Sequence, residues 1–237
     1  MKRLFMTALC MACTAMAAAQ GQTQREPSLA SRLSEKSVEL RIHAGMNVAT
    51  LVATEDGQRA TGGRRIGFNA GIDVGVPLKG NWYFQTGLAF VQKGFKEKDE
   101  TRVGYSAATV TTKGTPGYLE IPLLVSFRHR LGKAVTVQCS TGPYVACGVC
   151  GKLKVKTEGL GLPATEQEAD WFGGEDDIST ARFRRFDMGW HLGGGLTFRG
   201  GLSVGYAFEA GFLNSVRDDT ATPLKTRAHM VNVGFRF

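Results

Sequence analysis

Residues 227–237 read R-A-H-M-V-N-V-G-F-R-F, and this stretch decides the fold. Side chains two positions apart share a face of an extended strand, so the stretch divides into an apolar face and a mixed face. The apolar face holds Val231, Val233, Phe235 and Phe237. The other face holds Met230, Asn232, Gly234 and Arg236. A soluble protein seldom ends on its most apolar strand face, whereas a membrane barrel covers that face with lipid and pairs its final strand with its first. The stretch therefore predicts a transmembrane β-barrel.

Seven other segments alternate with the same period of two, which brings the predicted number of strands to eight. They span residues 38–49, 65–76, 82–95, 118–129, 134–149, 183–198 and 202–213. Along these segments the apolar face is continuous, while the opposite face holds charged residues and glycines. A polar face that is so poor in lysine and so rich in glycine does not suit a surface in water. We therefore expect it to line the inside of a narrow, side-chain-filled barrel.

The connections between the predicted strands alternate strictly between short and long. The short ones are residues 77–81, 130–133 and 199–201. The long ones are residues 50–64, 96–117, 150–182 and 214–226. An outer-membrane barrel has this layout, because its tight turns all lie on the periplasmic side and its large loops all lie outside. The predicted fold is therefore all-β, an eight-stranded antiparallel up-and-down transmembrane β-barrel with short periplasmic turns and long extracellular loops.

Aromatic residues are expected to form girdles where such a barrel meets the two surfaces of the membrane. Trp82, Tyr83 and Phe84 lie near one end of their predicted strand, and Phe90 and Phe95 lie near the other. We expect these five rings to contribute to the two girdles.

The amino terminus has the pattern of a secretory signal. Lys2 and Arg3 precede the short apolar run 4–16, and Ala17-Ala18-Ala19 supplies a small-residue cleavage site. The predicted organisation is a signal peptide at 1–19, a periplasmic lead segment at 20–37 and the barrel at 38–237. Loss of the signal lowers the formal net charge from +8 to +6. The rest of the chain has no apolar run long enough for a spanning helix, so any span is made by strands.

Three cysteines, Cys139, Cys147 and Cys150, remain after the signal peptide. An odd number argues against a complete disulfide framework. Cys147-Gly148-Val149-Cys150 has the C-x-x-C spacing of redox and zinc sites, but it has no second ligand pair and no surrounding β-α-β pattern. We expect either a local disulfide at a strand end or free thiols that face lipid.

The inward face of the predicted barrel carries charges of both signs. Its candidate residues are Glu39, Arg41, His43, Asp73, Glu120, Arg128, Asp187, His191, Glu209 and Arg236. Buried charges must pair, because an unpaired one costs several kcal/mol. The expected role of this set is a structural polar network that fills the lumen. The alternative is a gated pore or proton path in which His43 and His191 titrate.

No pattern for catalysis, cofactor binding or metal binding emerges. The motifs Gly-x-Ser-x-Gly and His-Glu-x-x-His are absent from the sequence. The longest predicted loop carries an acidic run, which we interpret as a solvated loop, with a cation or a basic partner as the alternative. The run comprises Glu166, Glu168, Asp170, Glu175, Asp176 and Asp177.

The partners expected from the charge distribution are membrane components. The positive charge is spread along the chain and forms no single patch, so nucleic acid is not expected. Outer-membrane lipid and the phosphates of lipopolysaccharide are the expected counterparts of surface Lys and Arg, together with other envelope proteins. The expected location is the cell outer membrane.

Two motifs resemble a known family. Gly117-Tyr118-Leu119-Glu120-Ile121-Pro122-Leu123-Leu124-Val125 resembles the Y-L-E-I-P-L-L strand of the PorT-like outer-membrane β-barrel proteins of Bacteroidetes. Phe186-Asp187-Met188-Gly189, followed by Gly193-Gly194-Gly195-Leu196, resembles the D-x-G-x-x-x-G-x-G strand of that family. The resemblance covers about residues 38–237. It implies an eight-stranded outer-membrane barrel with no catalytic residues, in a family of which one branch serves protein secretion.

Three functions follow as competing expectations. The first is a non-enzymatic barrel whose extracellular loops have structural, adhesive or partner-binding roles. The second is a component of an outer-membrane secretion or transport assembly. The third is a lipid-acting barrel enzyme that depends on His43 or His191. The first is the one that the sequence favours, because a filled lumen is normal for eight strands.

Overall fold

A computed structural model of the chain describes residues 38–55, 58–103, 106–159, 162–172, 183–216 and 223–237. The predicted signal peptide at 1–19, the lead segment at 20–37 and the acidic residues Glu175, Asp176 and Asp177 lie outside the described residues. Within the described ranges no helix has the length and apolar character to cross a membrane.

The described residues form thirteen strands. In chain order they are β1 (Glu39–Glu55), β2 (Gln58–Thr61), β3 (Arg65–Pro77), β4 (Trp82–Gln92), β5 (Phe95–Val103), β6 (Ser106–Gly114), β7 (Gly117–Leu131), β8 (Val135–Cys150), β9 (Lys152–Gly159), β10 (Leu162–Asp170), β11 (Phe186–Phe198), β12 (Leu202–Gly211) and β13 (Leu224–Arg236). Eight of them, β1, β3, β4, β7, β8, β11, β12 and β13, correspond to the eight predicted strands.

These eight strands close into an antiparallel barrel. Their order is β13-β12-β11-β8-β7-β4-β3-β1, and β13 pairs back to β1, so the sheet has no free edge inside the barrel wall. In that closing pair Met46 lies opposite Val231 and Ala44 lies opposite Val233. The prediction that the last strand pairs with the first is confirmed, and with it the eight-stranded up-and-down fold.

The two faces of the wall are sorted as the alternation predicted, with the apolar face outside. Val231 is 55% exposed and Met46 is 63% exposed, whereas Met230, on the inner face, is only 4% exposed. Each such side chain that stays in water, rather than in an apolar environment, costs about 1.5–3 kcal/mol of burial free energy. A barrel with this outer surface is therefore suited to an apolar surrounding medium.

The narrow lumen requires close approach of neighbouring backbones, which explains some of the inward glycines. A Cβ atom at Gly45 would lie 2.1 Å from the backbone oxygen of Val231, and one at Gly87 would lie 2.2 Å from that of Ile72. No side chain fits at either distance. Glycine at these two positions lets adjacent strands curve tightly around the lumen.

Two of the predicted long connections, 96–117 and 150–182, carry strands of their own, which the sequence did not predict. They contain the hairpins β5–β6 and β9–β10, and pairing of β6 with β9 joins them into a separate four-stranded sheet, here called the loop sheet. Its strand order is β10-β9-β6-β5. The strands were missed because they carry many charges and no continuous apolar face, so the period of two did not signal burial.

Exposed ion pairs link residues of the loop sheet, and they make the stability of this sheet depend on pH. Glu168 accepts hydrogen bonds from Lys152 and Lys154, which lower its pKa to about 2. Because the pKa is lower in the folded state than the ordinary value of 4.5, the stabilisation is complete above about pH 4.5 and is lost as the pH falls towards 2. We therefore expect hydrogen exchange of the backbone amides in β9 and β10, corrected for the intrinsic exchange rates, to become faster as the pH falls from about 4.5 to about 2.

The variant Glu168→Gln isolates this contribution. Its exchange at neutral pH should be about two- to threefold faster in β9 and β10, because exposed pairs are weak. The variant Glu97→Gln, at an exposed carboxylate on β5, is the matched control and should leave β9 and β10 unchanged. Equal effects of the two substitutions would contradict the role of the Glu168 pairs.

Candidate functional site

The lumen of the barrel contains all ten candidate charged residues, in three groups along its axis. We call the end of the barrel with the short connections the turn end and the opposite end the loop end. The turn-end group is Glu39, Arg128 and Arg236. The middle group is Arg41, His43 and Asp73. The loop-end group is Glu120, Asp187, His191 and Glu209, together with Lys93.

The turn-end group centres on the Glu39 carboxylate. Arg128 Nη1 donates to Glu39 Oε2, and Arg236 Nη1 lies 3.4 Å from the same oxygen. The Arg128 guanidinium also stacks over the ring of Tyr83, with Cζ 4.1 Å from the ring centroid. Tyr83 therefore points into the lumen, and its expected place in an outer aromatic girdle is wrong. A guanidinium between a carboxylate and an aromatic face is held in a fixed orientation.

The middle group is produced by strand register. Arg41 on β1 lies directly opposite Asp73 on β3, and its Nε and Nη2 atoms donate to Asp73 Oδ2 over 2.8 and 2.6 Å. His43, two residues further along the same face of β1, places Nδ1 3.0 Å from the same oxygen. One carboxylate thus ties two neighbouring side chains of β1 to β3.

The loop-end group is the most deeply buried one and centres on Lys93, whose side chain is 2% exposed. Its ammonium Nζ lies 3.1 Å from Glu120 Oε2, 3.1 Å from Glu209 Oε2 and 3.7 Å from Asp187 Oδ2. The same ammonium lies 4.3 Å from the centroid of the Tyr144 ring. One cation therefore contacts three carboxyl groups, which come from β7, β11 and β12.

Neighbouring polar groups complete the loop-end group. Asp187 Oδ2 accepts hydrogen bonds from Thr226 Oγ1 over 3.0 Å and from the Tyr144 hydroxyl over 3.3 Å. His191 Nδ1 lies 3.1 Å from Glu209 Oε1. The attraction between opposite charges and the hydrogen bonds offset the desolvation penalty of burial, so the group can persist in a lumen with little water.

Lys93 was missing from the candidate residues, although the sequence contained a signal for it. The inward face of the predicted strand 82–95 begins with Tyr83, Gln85, Gly87 and Ala89. Continued by period two, it reaches Lys93, the first residue after β4. A lysine in register with an inward face that already holds several carboxylates is a candidate for their counter-ion.

A small cavity of about 70 Å³ lies between the middle and loop-end groups. Polar side chains on its wall include His43, Asn69, Gln85 and His191. The Asn69 side chain is buried, and neither of its amide atoms has a hydrogen-bond partner among the described residues. The cavity has room for a few water molecules and is far smaller than the roughly 300–1,000 Å³ of a typical ligand pocket. It suits ordered water better than a substrate.

An aromatic cluster covers the loop end of the lumen. The rings of Trp171 and Phe183 stack with centroids 3.8 Å apart, and Leu51 and Val216 pack with them. Phe95 belongs to this cluster, since its ring lies 5.8 Å from that of Trp171, and its expected place in a lipid-facing girdle is wrong. A void of about 10 Å³ is lined by both Trp171 and Lys93, which places the cluster directly above the loop-end group.

The charged groups of the lumen form ion pairs between strands more clearly than they form a catalytic arrangement. His43 and His191 each contact a carboxylate, and an imidazole and a carboxylate are two of the three members of a hydrolytic triad. Among the described residues, neither imidazole is hydrogen-bonded to the side chain of a Ser, Thr or Cys. The three cysteines are free and exposed, and Cys139 and Cys147 lie on the outer face of β8. This corresponds to the free-thiol alternative, since Cys147 and Cys150 form no disulfide.

Comparison with known proteins assigns the family. The profile of the outer membrane protein beta-barrel domain matches residues 18–217. No curated protein matches the chain. Among solved structures, Ail, the attachment invasion locus protein of Yersinia pestis, is 16% identical with a TM-score of 0.34 and covers 85% of this chain and 100% of its own. Neisserial surface protein A is 10% identical with a TM-score of 0.37 and has the same two coverages. Likenesses this low carry no information about function. The match to the family profile covers most of the sequence, so this chain belongs to the outer membrane protein β-barrel domain family and lies in the cell outer membrane.

Proposed function

We propose that this protein is a non-enzymatic, side-chain-filled barrel of the PorT-like type whose extracellular loop sheet has a structural, adhesive or partner-binding role. The buried charge network around Lys93 is the observation that carries the proposal. One ammonium holds carboxylates from three strands, and the Trp171 cluster covers it. Such a plug fills the lumen and leaves little space for a substrate or for a conducted solute.

The PorT-like assignment is supported by where its two motifs lie. The first motif falls on β7, where Glu120 contacts Lys93, and the second falls on β11, where Asp187 contacts the same ammonium. Both motifs therefore supply carboxylates to one buried group. A shared ion-pair centre gives a physical reason for the presence of both motifs in one sequence.

The partner-binding role is supported by the loop sheet. Within the described residues the outer strand β10 pairs with β9 alone, and β5 pairs with β6 and, at Phe95 and Lys96 only, with residues 63 and 64. Beyond these contacts each outer strand has one edge that no described strand covers. Lipopolysaccharide phosphates are the proposed counterparts of its exposed lysines, and other envelope proteins are proposed partners of its edges. Neither role requires a chemical step.

Heat-modifiable gel migration in a washed outer-membrane fraction is the first test. A closed barrel resists detergent until it is boiled, so the unboiled and boiled samples should migrate differently. Crosslinking of intact cells through a cysteine introduced at Gln167 on β10, in a variant whose Cys139, Cys147 and Cys150 are replaced by Ala, should then capture lipopolysaccharide or an envelope protein. A cysteine introduced at Lys133, in a turn at the other end of the barrel, is the control. A soluble protein without a migration shift would overturn the barrel and the proposal together.

A deletion strain separates this proposal from the two alternatives. The proposal predicts normal export of surface proteins and an intact lipid A profile. A general block of export would instead support a secretion assembly. An altered lipid A profile, reversed by the wild-type chain but not by His191→Ala, would support a lipid-acting enzyme.

A further inference from the structure

The three short turns at the turn end of the barrel carry charge of a single sign. The three short turns, residues 77–81, 130–133 and 199–201, contain basic residues and no Asp or Glu. The four basic side chains, here called the turn-end cations, are exposed. They are Lys79, Arg130, Lys133 and Arg199.

The turns are held side by side, so these cations form one arc. Arg199 N donates to Ala134 O over 2.8 Å, which joins the β11–β12 turn to the β7–β8 turn. Arg128 N donates to Asn81 O over 2.9 Å, which joins the β3–β4 turn to β7. Three turns that are distant in sequence are therefore fixed as neighbours, and their like charges cannot move far apart.

The loop end differs from the three turns in that its loop sheet carries charges of both signs. In the loop sheet the basic residues are Lys96, Lys98, Arg102, Lys113, Lys152, Lys154 and Lys156. The acidic residues are Glu97, Asp99, Glu100, Glu158, Glu166, Glu168 and Asp170. The two sets are equal in number, and several members pair with one another. The three turns contain no acidic residue of their own that could form such pairs within them.

The turn-end cations also lie immediately beside the apolar outer band. Trp82 follows the first turn directly, and its ring packs edge to face on Phe127 with centroids 5.1 Å apart. Phe198 and Leu202 flank the third turn and are exposed on the outer face. Exposed aromatic rings next to cations are typical of the level at which lipid headgroups meet hydrocarbon.

We propose that the turn-end cations bind the phosphate headgroups of acidic phospholipids in the periplasmic leaflet. The ligand class follows from the geometry, since an anion attached to an apolar tail would contact a cation of a turn and the apolar band at the same time. Each basic residue at such a surface contributes about 1 kcal/mol, which corresponds to about fivefold in affinity. Binding of these headgroups orients the barrel in the membrane and enriches acidic phospholipids beside it.

Spin-labelled lipids provide the test. The full-length mature protein is reconstituted in phosphatidylcholine vesicles, and the association of spin-labelled phosphatidylglycerol is compared with that of spin-labelled phosphatidylcholine. We expect a preference for phosphatidylglycerol of about fivefold, which falls with added salt because exposed charges are screened. The variant with Lys79→Gln, Arg130→Gln, Lys133→Gln and Arg199→Gln should lose the preference and keep heat-modifiable migration.

A matched variant controls for net charge. Lys96→Gln, Lys98→Gln, Lys113→Gln and Lys225→Gln remove the same charge at the loop end, and this variant should keep the preference. Absence of a preference in the wild-type protein, its survival in the turn-end variant, or its equal loss in both variants would overturn the proposal. Binding of soluble polyglutamate at the turn end without a lipid preference would also overturn it and would indicate an acidic periplasmic partner.

Discussion

Replacing Lys93 with Met is expected to destabilise the folded barrel by about 3–5 kcal/mol, the usual effect of removing one partner from a buried ion pair. The substitution leaves Glu120, Glu209 and Asp187 buried near one another without their cation. Met has a similar length, so little volume is lost. Equilibrium unfolding in urea from lipid vesicles, followed by loss of the fast-migrating unboiled band, measures the effect.

Two further variants identify the cause of that loss. Lys225→Met changes an exposed lysine near the loop end of β13 and should alter stability by less than about 0.5 kcal/mol. Adding Glu120→Gln and Glu209→Gln to Lys93→Met removes two of the uncompensated charges and should recover much of the stability. A triple variant no more stable than the single variant would show that packing, rather than uncompensated charge, accounts for the loss.

Replacing Leu192 with Arg is expected to cost about 2–4 kcal/mol in a bilayer, because the new charge lies at the depth of the hydrocarbon midplane. Leu192 is the middle residue of β11, points outward and is 52% exposed. In water the same substitution at an exposed position would be nearly neutral. Urea unfolding from vesicles, compared with the wild-type protein, gives the difference directly.

Leu131→Arg is the matched control for depth. Leu131 is the last residue of β7 and is 54% exposed, so it lies at the turn end, near the interface. There the same substitution should cost only about 0–1 kcal/mol. Equal costs at Leu192 and Leu131 would contradict the lipid-facing assignment of the outer band.

Much of the barrel could be predicted from sequence because alternation is a local property. Residues 227–237 showed which side chains share a face, and the exposed Val231 and buried Met230 follow that division. The strict alternation of short and long connections set the up-and-down order. The loop sheet could not be predicted in the same way, because its central pairing joins β6 and β9 from two different loops.

The charged residues of the lumen show the same limit. Sequence periodicity placed Glu120, Asp187 and Glu209 on the inward face, but it could not show that all three converge on Lys93. Those residues come from different strands, and their distances depend on register and on closure of the barrel. Likewise, Phe95 and Tyr83 were expected among the interfacial aromatics, yet Phe95 packs on Trp171 and Tyr83 stacks under Arg128.

The sequence by itself determined the number of barrel strands, their two faces and the side of the barrel on which the long connections lie. These features depend on the period of two and on connection length, which act within one strand or between consecutive strands. Only the tertiary structure decided which buried charges meet and how two loops combine into one sheet. Those contacts join residues far apart in the chain, and their geometry is fixed only when β13 pairs with β1 and closes the barrel.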